Sequence, residues 1–396
     1  MKQTIFHIDV NSAYLSWSAL ERLKQGDETD LRTIPSIIGG DSATRHGVVL
    51  AKSIPAKAYG VRTGEPVSDA LKKCPFLVSC PPDHNLYSEK SRLLMQHLAD
   101  ICPDIEQVSV DECYMNFTQI AAGYASPVAA AVEMKNEVKR RFGFTVNIGI
   151  SSNKLLAKMA SDFEKPDKVH TLFMEEVPLK MWPLPVSDLF MAGRSSVETL
   201  NKLEIYTIGD LANADVNLIT LHLKSHGRTL WEFANGIGSE TVHTEQEAAK
   251  GIGNSTTLSE DVTTYEGARE VFHELAESVS RRLKKAGQKA RMVSMEIKYH
   301  DFQTMSHQTQ LERATDECGL IHETACKLFT ESWNGEPVRL LGVRTSKLVE
   351  ADDPKKLTLF DIEFPKEPDE KHKKLNAAME AIRKRYGERA VVKGSE

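Results

Sequence analysis

The sequence predicts an α/β and α+β multidomain protein: an α/β unit, a helical unit, then an α+β unit. Three observations carry this. At 396 residues the chain exceeds one ordinary core, and roughly two to four domains are expected. Strand-like and helix-like patterns interleave up to about residue 172, as a mixed sheet with covering helices requires. The stretch "GIGSETVHTEQEAAK", residues 236–250, has no strong periodicity and reads as a linker before the last unit.

The elements follow in order. "TIFHIDV" alternates as a strand, and "SAYLSWSALERLKQG" reads as a helix ended by Gly26. "TIPSIIGGD" is a short strand into a glycine turn. The next stretch, "HGVVLAKSIPAKAYGVRTGEPVSDALKKCP", gives a strand, a proline-marked turn and a helix. "YSEKSRLLMQHLADIC" is an amphipathic helix, and "IEQVSVDECYMNF" is a strand or a tight strand pair. "SPVAAAVEMKNEVKRRFG" is a helix, "FTVNIGISSN" a buried strand, and "NKLLAKMASDFEKP" a helix stopped by Pro166. The chain is mostly helical to about residue 241. The last unit reads as a long helix ("TYEGAREVFHELAESVSRRLKKAG"), a strand ("ARMVSMEIKYHDF"), a helix ("ATDECGLIHETACKLFTESW") and a strand ("VRLLGVRTSKL"). A charged tail with a helix, "EKHKKLNAAMEAIRKRYG", follows.

Composition narrows the class. With 41% hydrophobic and 27% charged residues the chain is ordinary globular, and it has no apolar run long enough to span a bilayer. Nothing at the N-terminus resembles a signal peptide, so a cytoplasmic location is expected. The six cysteines form no CxxC pair and read as reduced thiols. The net charge of −6 speaks mildly against nucleic-acid binding. Charge segregates, however: Arg281 to Lys298 carries seven basic residues against one acid, Glu296.

The carboxylates carry the chemistry. Asp9 sits in the first strand, and Asp111 and Glu112 sit in the run "VSVDECYMNF". One strand acid is as well explained by a strand end facing water. Two acidic clusters on neighbouring strands would repel unless a cation bridges them, as in a two-metal site. Lys154 and Lys165 flank one helix and could reach a triphosphate, or could be solvated surface charges. "KLEIYTIGDLA" resembles a helix-hairpin-helix, which holds a DNA backbone without reading its sequence.

Taken together, "HIDVNSAYLS", "VVLAKSIPAKAYGV", "VSVDECYMNF", "NIGISSNKLLAKMASDFEKP", "YTIGDLA", "HGRTLWEFANGI" and "GIGNSTT" resemble the Y-family translesion DNA polymerases, the DinB and UmuC group, over about residues 4–393. The resemblance implies a right-hand polymerase that copies DNA with low fidelity past damaged template. The palm would be residues 1–18 and 79–172, the fingers 19–78, and the helical thumb with its helix-hairpin-helix 173–241. A linker at 242–250, a little finger at 251–350 and a tail at 351–396 would follow.

It further implies that Asp9, Asp111, Glu112 and the Val10 carbonyl hold two Mg²⁺ ions, for which Mn²⁺ could substitute. Ser12, Ala13, Lys52, Lys57 and Lys165 would bind the dNTP, and Tyr14 would be the steric gate against ribose. Gly193, Arg282, Lys285, Lys289, Arg291 and Lys298 would meet primer-template DNA. The segment "KLTLF" would dock Leu357, Leu359 and Phe360 on a sliding clamp, with Lys356 where the pattern has Gln; a core-packing role is the rival. The chain would act as a monomer.

Departures from the family's pattern stand out. Ile54 and Lys57 occupy finger positions where DinB enzymes carry Tyr and Arg, which is closer to the UmuC branch. "MAGRSS" keeps only Gly193 of a Gly-x-Gly, and Glu204 replaces a hairpin glycine, where it would repel a phosphate. A palm-type nucleotidyl cyclase, distinguished by needing no primer-template, and a non-catalytic DNA- or clamp-binding relative are the alternatives. The intact acids argue against the second.

Overall fold

The computed structural model describes residues 3–40, 47–245 and 248–350 and, beyond them, Ala378 alone. Leu357, Leu359 and Phe360 lie outside the described residues, as does the rest of the tail.

Strand β1 (Ile5–Val10) is buried throughout and runs into helix α1 (Ala13–Lys24). A small three-stranded sheet follows, made of β2 (Ser36–Gly39), β3 (Val49–Lys52) and β4 (Val78–Cys80) in the order β3-β2-β4. Helices α2 (Ile54–Ala58) and α3 (Val67–Lys73) lie between its last two strands. The chain then returns to β1 through α4 (His84–Ile101), β5 (Ile105–Gln107), β6 (Glu112–Asn116), α5 (Pro127–Phe142), β7 (Val146–Ser151), α6 (Lys154–Asp162) and β8 (Val169–Thr171). The five strands form one sheet in the order β5-β6-β1-β7-β8. "IEQVSVDECYMNF" is thus a tight pair: β5 and β6 are antiparallel neighbours joined by 108–111.

Period-two alternation splits β1 between two layers. Phe6, Ile8 and Val10 join a core with Trp17, Leu94 and Met134 of α1, α4 and α5. Each such buried side chain stabilises by roughly 1.5–3 kcal/mol. Ile5, His7 and Asp9 face the opposite side, where Ile5 meets Ala157 of α6. Helix α6 lies unusually close to the sheet. A Cβ at Gly149 would stand 2.0 Å from the Ala157 carbonyl oxygen, so only glycine permits this approach.

Helices α7 (Val177–Lys180), α8 (Arg194–Lys202), α9 (Ile208–Asn213) and α10 (Val216–Ala234) make the helical unit. Its core is not its own: Leu155, Leu156 and Met159 of α6 pack with Val177, Leu200, Ile208 and Leu230. Helix α10 breaks at Lys224, whose φ of 56° and ψ of −143° are not helical.

The first part of the stretch read as a linker is docked on the first unit. Ser239 O accepts from the Lys154 N–H (2.9 Å), Gly236 O from Asn153 Nδ2 (2.9 Å), and Glu106 Oε2 from the His243 N–H (2.8 Å).

The last unit has four strands where the sequence pattern suggested two. They are β9 (Gly251–Val262), β10 (Gln288–Tyr299), β11 (Thr304–Thr315) and β12 (Val338–Glu350), antiparallel in the order β11-β10-β12-β9. Helices α11 (Tyr265–Lys285) and α12 (Cys318–Ser332) cover one face, Phe272 and Phe329 packing with Val293, Met295 and Leu341. Among the described residues no two cysteines form a disulfide, and no described helix is long and apolar enough to cross a membrane.

Candidate functional site

Pairing of β1 with β6 puts Asp9 directly opposite Glu112, so the two acids share one face of the sheet. Asp111 is the residue before β6, and its carbonyl accepts the Val10 N–H at 3.0 Å. Just past β1, Ser12 adopts a left-handed φ of 46° and turns the chain into α1. This aims the α1 N-terminus, with its positive dipole end, at a cleft of about 600 Å³. Asp9, Val10, Ser12, Ala13, Tyr14, Asp111 and Lys165 line one side of that cleft, and Lys52, Ile54 and Lys57 the other. Glu112 is not on its wall. Its carboxylate turns toward α6.

Each acid is held by one oxygen. Lys165 binds Asp9 Oδ2 and also reaches Asp162 at 2.8 Å. Ser109 Oγ donates to Asp111 Oδ1 at 2.6 Å. Lys158 Nζ (3.0 Å) and His7 Nε2 (3.3 Å) both meet Glu112 Oε2. Among the described residues the second oxygen of each carboxylate takes no hydrogen bond.

The electrostatics follow from these partners. The His7 ring and the Lys158 ammonium beside its carboxylate together outweigh burial and draw Glu112 down to about 2. Burial, and then the Asp9 and Glu112 charges, push Asp111 up from the ordinary carboxylate value. Burial acts to lower Lys165, but Asp9 and Asp162 outweigh it and hold the ammonium above its ordinary value. Lys52 is lowered by burial and by the nearby Lys57.

Carboxylate oxygens and a backbone carbonyl are the donors that Mg²⁺ or Mn²⁺ prefers, so the site fits a hard divalent cation by chemistry. Among the described residues no three acidic, histidine or cysteine side chains converge on a single point. The lysines explain this, since Lys165 and Lys158 draw Asp9 and Glu112 toward themselves.

Tyr14 stacks face to face on Tyr87 (4.3 Å, 9°) and edge-on to His84 (6.3 Å), which fixes its ring at the cleft. Ile54 opens α2, capped by Ser53 Oγ accepting the Ala56 N–H at 3.1 Å, and it is 61% exposed. The polar residues of the cleft wall that the sequence reading missed include Asn11, Arg32 and Thr145. Arg32 forks onto Asp30 (2.7–3.1 Å) and donates to the Gly143 carbonyl at 2.8 Å. Nothing in its sequence context marks it.

The expected DNA contacts divide. Gly193 caps α8, and its N–H donates to the Met191 carbonyl at 2.9 Å. Met191 (φ 67°) and Glu204 (φ 62°), the two residues standing where the family pattern has glycine, both keep a left-handed backbone. Between Glu204 and Thr207 every N–H is bonded internally: Glu204 to Asn201 O, Ile205 to Leu200 O, and Tyr206 and Thr207 to Asp210 Oδ2.

The basic run of the last unit does not form one surface. Arg282 and Lys285 sit on α11, and Arg282 Nη1 donates to the Gly253 carbonyl at 2.7 Å. Arg291 sits at a bulge in β10. Lys298 alternates with the buried Ile297 and Tyr299, which places it on the sheet face away from the helices. Lys289 pairs with Val349 across β12. That open face also carries Ser294 and Arg344 around a concavity of about 660 Å³. Arg344 reads in sequence as an ordinary strand residue.

The chain matches the sequence model of the impB/mucB/samB family over residues 8–162 and that of the family's C-terminal domain over residues 249–359. It is 44% identical to DNA polymerase IV of Clostridium acetobutylicum, over 99% of this chain and 98% of that protein. DNA polymerase IV of Acetivibrio thermocellus is 35% identical over 100% and 97%. DNA polymerase IV 1 of Bacillus subtilis is 36% identical over 99% and 92%. The fold is similar to that of a Y-family DNA polymerase chimera, with a TM-score of 0.75 at 19% identity over 88% of this chain and 99% of that one. The segment around Ile54 and Lys57, read from the sequence as closer to the UmuC pattern, sits in a chain 44% identical to a DNA polymerase IV. Asp9 and Asp111, a helix N-terminus and three lysines thus line one cleft of a chain that belongs to the impB/mucB/samB family, among the Y-family, DinB-like DNA polymerases.

Proposed function

We propose that this chain is a translesion DNA polymerase that extends a primer on template DNA with dNTPs. The observation that carries the reading is the register placing Asp9 opposite Glu112 at the head of a cleft walled by the α1 N-terminus, Tyr14 and Lys52, Lys57 and Lys165. Asp9, Asp111, Glu112 and the Val10 carbonyl would hold two divalent cations, Mg²⁺ or in its place Mn²⁺. When bound, these supply activation of the primer 3′-hydroxyl and charge neutralisation on the triphosphate.

The chain's own residues do the rest. The N–H groups of Ser12 and Ala13 cradle phosphate oxygens at the helix N-terminus. Lys52, Lys57 and Lys165 neutralise charge as the pyrophosphate leaves. Tyr14, held against Tyr87, fills the space of a 2′-hydroxyl. Palm, fingers, thumb and little finger take the spans set out above. In the thumb, the first turn of α8 beside Gly193 takes the DNA backbone. Lys289, Arg291 and Lys298 grip it from the sheet of the little finger, and Arg282 and Lys285 from its flank, so binding weakens steeply with salt. Leu357, Leu359 and Phe360 anchor the tail on a sliding clamp as apolar hot spots. The enzyme works as a cytoplasmic monomer.

Primer extension with Mg²⁺ and dNTPs, on undamaged and abasic templates, tests the reading. Wild type should extend both, and Asp111→Ala should extend neither while keeping its melting temperature. Extension by Asp111→Ala at the wild-type rate would dismiss the assignment, and turnover of nucleotide without primer-template would favour a cyclase.

A further inference from the structure

Two buried amides, Asn147 behind the cleft and Asn11 at its wall, stand outside the set of residues just assigned. Asn147, at the centre of β7, is fully buried, and Asn11, just past β1, is nearly so. Asn147 uses its whole hydrogen-bonding capacity. Its Nδ2 donates to the carbonyls of Ser161 (2.9 Å) and Glu164 (2.7 Å). Its Oδ1 accepts from Asn11 Nδ2 (3.0 Å) and from the Lys168 N–H (3.2 Å). Asn11 Oδ1 in turn accepts from the Thr145 hydroxyl (2.9 Å) and the Asp167 N–H (2.9 Å).

All the backbone partners of this pair belong to one short segment. Ser161, Glu164, Asp167 and Lys168 bracket Lys165 from both sides, and Lys165 is the residue that reaches Asp9 across the cleft wall. A strand interior normally holds Val or Ile, and an amide there is tolerated only when every polar atom is bonded. Here the bonds go to the loop carrying the lysine, so the amides fix that loop where the apolar core cannot reach it. The outer side of the loop is tied separately, Asp167 accepting from Lys135 (2.7 Å) and Lys139 (2.9 Å).

We propose that Asn147 and Asn11 are positioning residues for nucleotide binding: they clip the 161–168 segment to β1 and β7 and so set where Lys165 presents its ammonium to the triphosphate. This rests on the reading of Lys165 as a triphosphate ligand. Neither amide touches the substrate in this account. They act through Lys165, and the Asn147 side chain is beyond reach of solvent.

Single-nucleotide insertion by the full chain on a primer-template, with dNTP varied, tests this in a double-mutant cycle. Asn147→Ala should raise KM for dNTP about tenfold and leave kcat within about twofold, the signature of lost uniform binding. Lys165→Ala should raise KM as well, and adding Asn147→Ala to it should raise KM no further, because the loop then has nothing to position. A merely structural role predicts effects on kcat and stability that multiply across the two sites. Unchanged KM in Asn147→Ala, or full multiplication in the double variant, overturns the clip. Wild-type KM in Lys165→Ala overturns it by removing Lys165 from the triphosphate, while the Asp111→Ala result stands apart from both. Should Asn147→Ala fail to fold, Asn11→Ala leaves both donor bonds of Asn147 in place and enters the same cycle with the same expected result.

Discussion

Glu204→Gly should make this protein more stable and its grip on DNA tighter. Glu204 holds φ at 62°, in the left-handed region, on an exposed turn between α8 and α9. Among the described residues its carboxylate makes no hydrogen bond or ion pair. For an L-residue that backbone costs about 1–2 kcal/mol, because Cβ crowds the following carbonyl oxygen. Glycine removes this cost but adds about 0.4–1 kcal/mol of unfolded-state freedom. The difference leaves a net gain of about 0.5–1 kcal/mol. In a unit of this size that is a rise of about 2 °C in melting temperature. A thermal melt followed by tryptophan emission reads it, because Trp182 and Trp231 are both bonded within the helical unit, to the carbonyls of Ala234 and Ala214. The charge adds a second, separable effect. A carboxylate roughly 8 Å from a phosphate in water repels it by about 0.5 kcal/mol, so primer-template affinity at low salt should improve about twofold. A variant that melts at or below wild type refutes the conformational argument. One that melts higher but binds DNA identically at every salt concentration places Glu204 away from the phosphates.

Three further outcomes are expected. Tyr14→Ala should admit ribonucleotides, since the ring held on Tyr87 no longer blocks a 2′-hydroxyl; an unchanged ratio of rNTP to dNTP insertion would assign the gate elsewhere. Lys52→Ala and Lys57→Ala should each raise KM for dNTP, each lost charge-assisted contact being worth roughly 1.5 kcal/mol or less at this solvated wall, and a lysine whose loss leaves dNTP kinetics intact does not meet the triphosphate. Glu112→Gln should flatten the acid limb of stability. The carboxyl's folded value is drawn from 4.5 to about 2, so its contribution is present above 4.5 and lost as pH falls toward 2. Wild type should therefore lose stability more steeply than the variant across that window, and equal slopes would mean that His7 and Lys158 do not hold the charged form.

The elements that build the site were legible because their patterns are strong. "TIFHIDV" alternates and "FTVNIGISSN" is a near-continuous apolar run, so both read as strands, and the helix after "SSN" shows its cap, Asn153 Oδ1 accepting the Leu156 N–H at 2.9 Å. What failed is just as physical. Strands β9 and β11 bury little, and "TMSHQTQLERAT" lies at a sheet edge with most side chains in solvent, so no apolar alternation announces it. The register that faces Asp9 with Glu112 is a pairing between distant segments, which neither segment encodes alone. The basic run from Arg281 to Lys298 looked like one surface because the helix-to-strand turn at Gly287, which sends its halves to different layers, is silent about direction. Asn147 was invisible for a different reason: a buried amide in a strand declares itself only through partners more than a dozen residues away.

Helix α6 belongs to two cores at once, one side seated on Gly149 of the first sheet and the other supplying Leu155, Leu156 and Met159 to the helical unit. That sharing decides how the chain can be dissected and recombined. A fragment stopped near residue 172, before the helical unit, would strip the cover from three large apolar side chains and should precipitate or bind chaperones. A helical unit grafted from a relative would need its matching α6. The last unit encloses its own core between two helices and one sheet. It is the natural unit of exchange, the part that could be swapped between homologues, or lost and regained, while the nucleotide cleft stays intact.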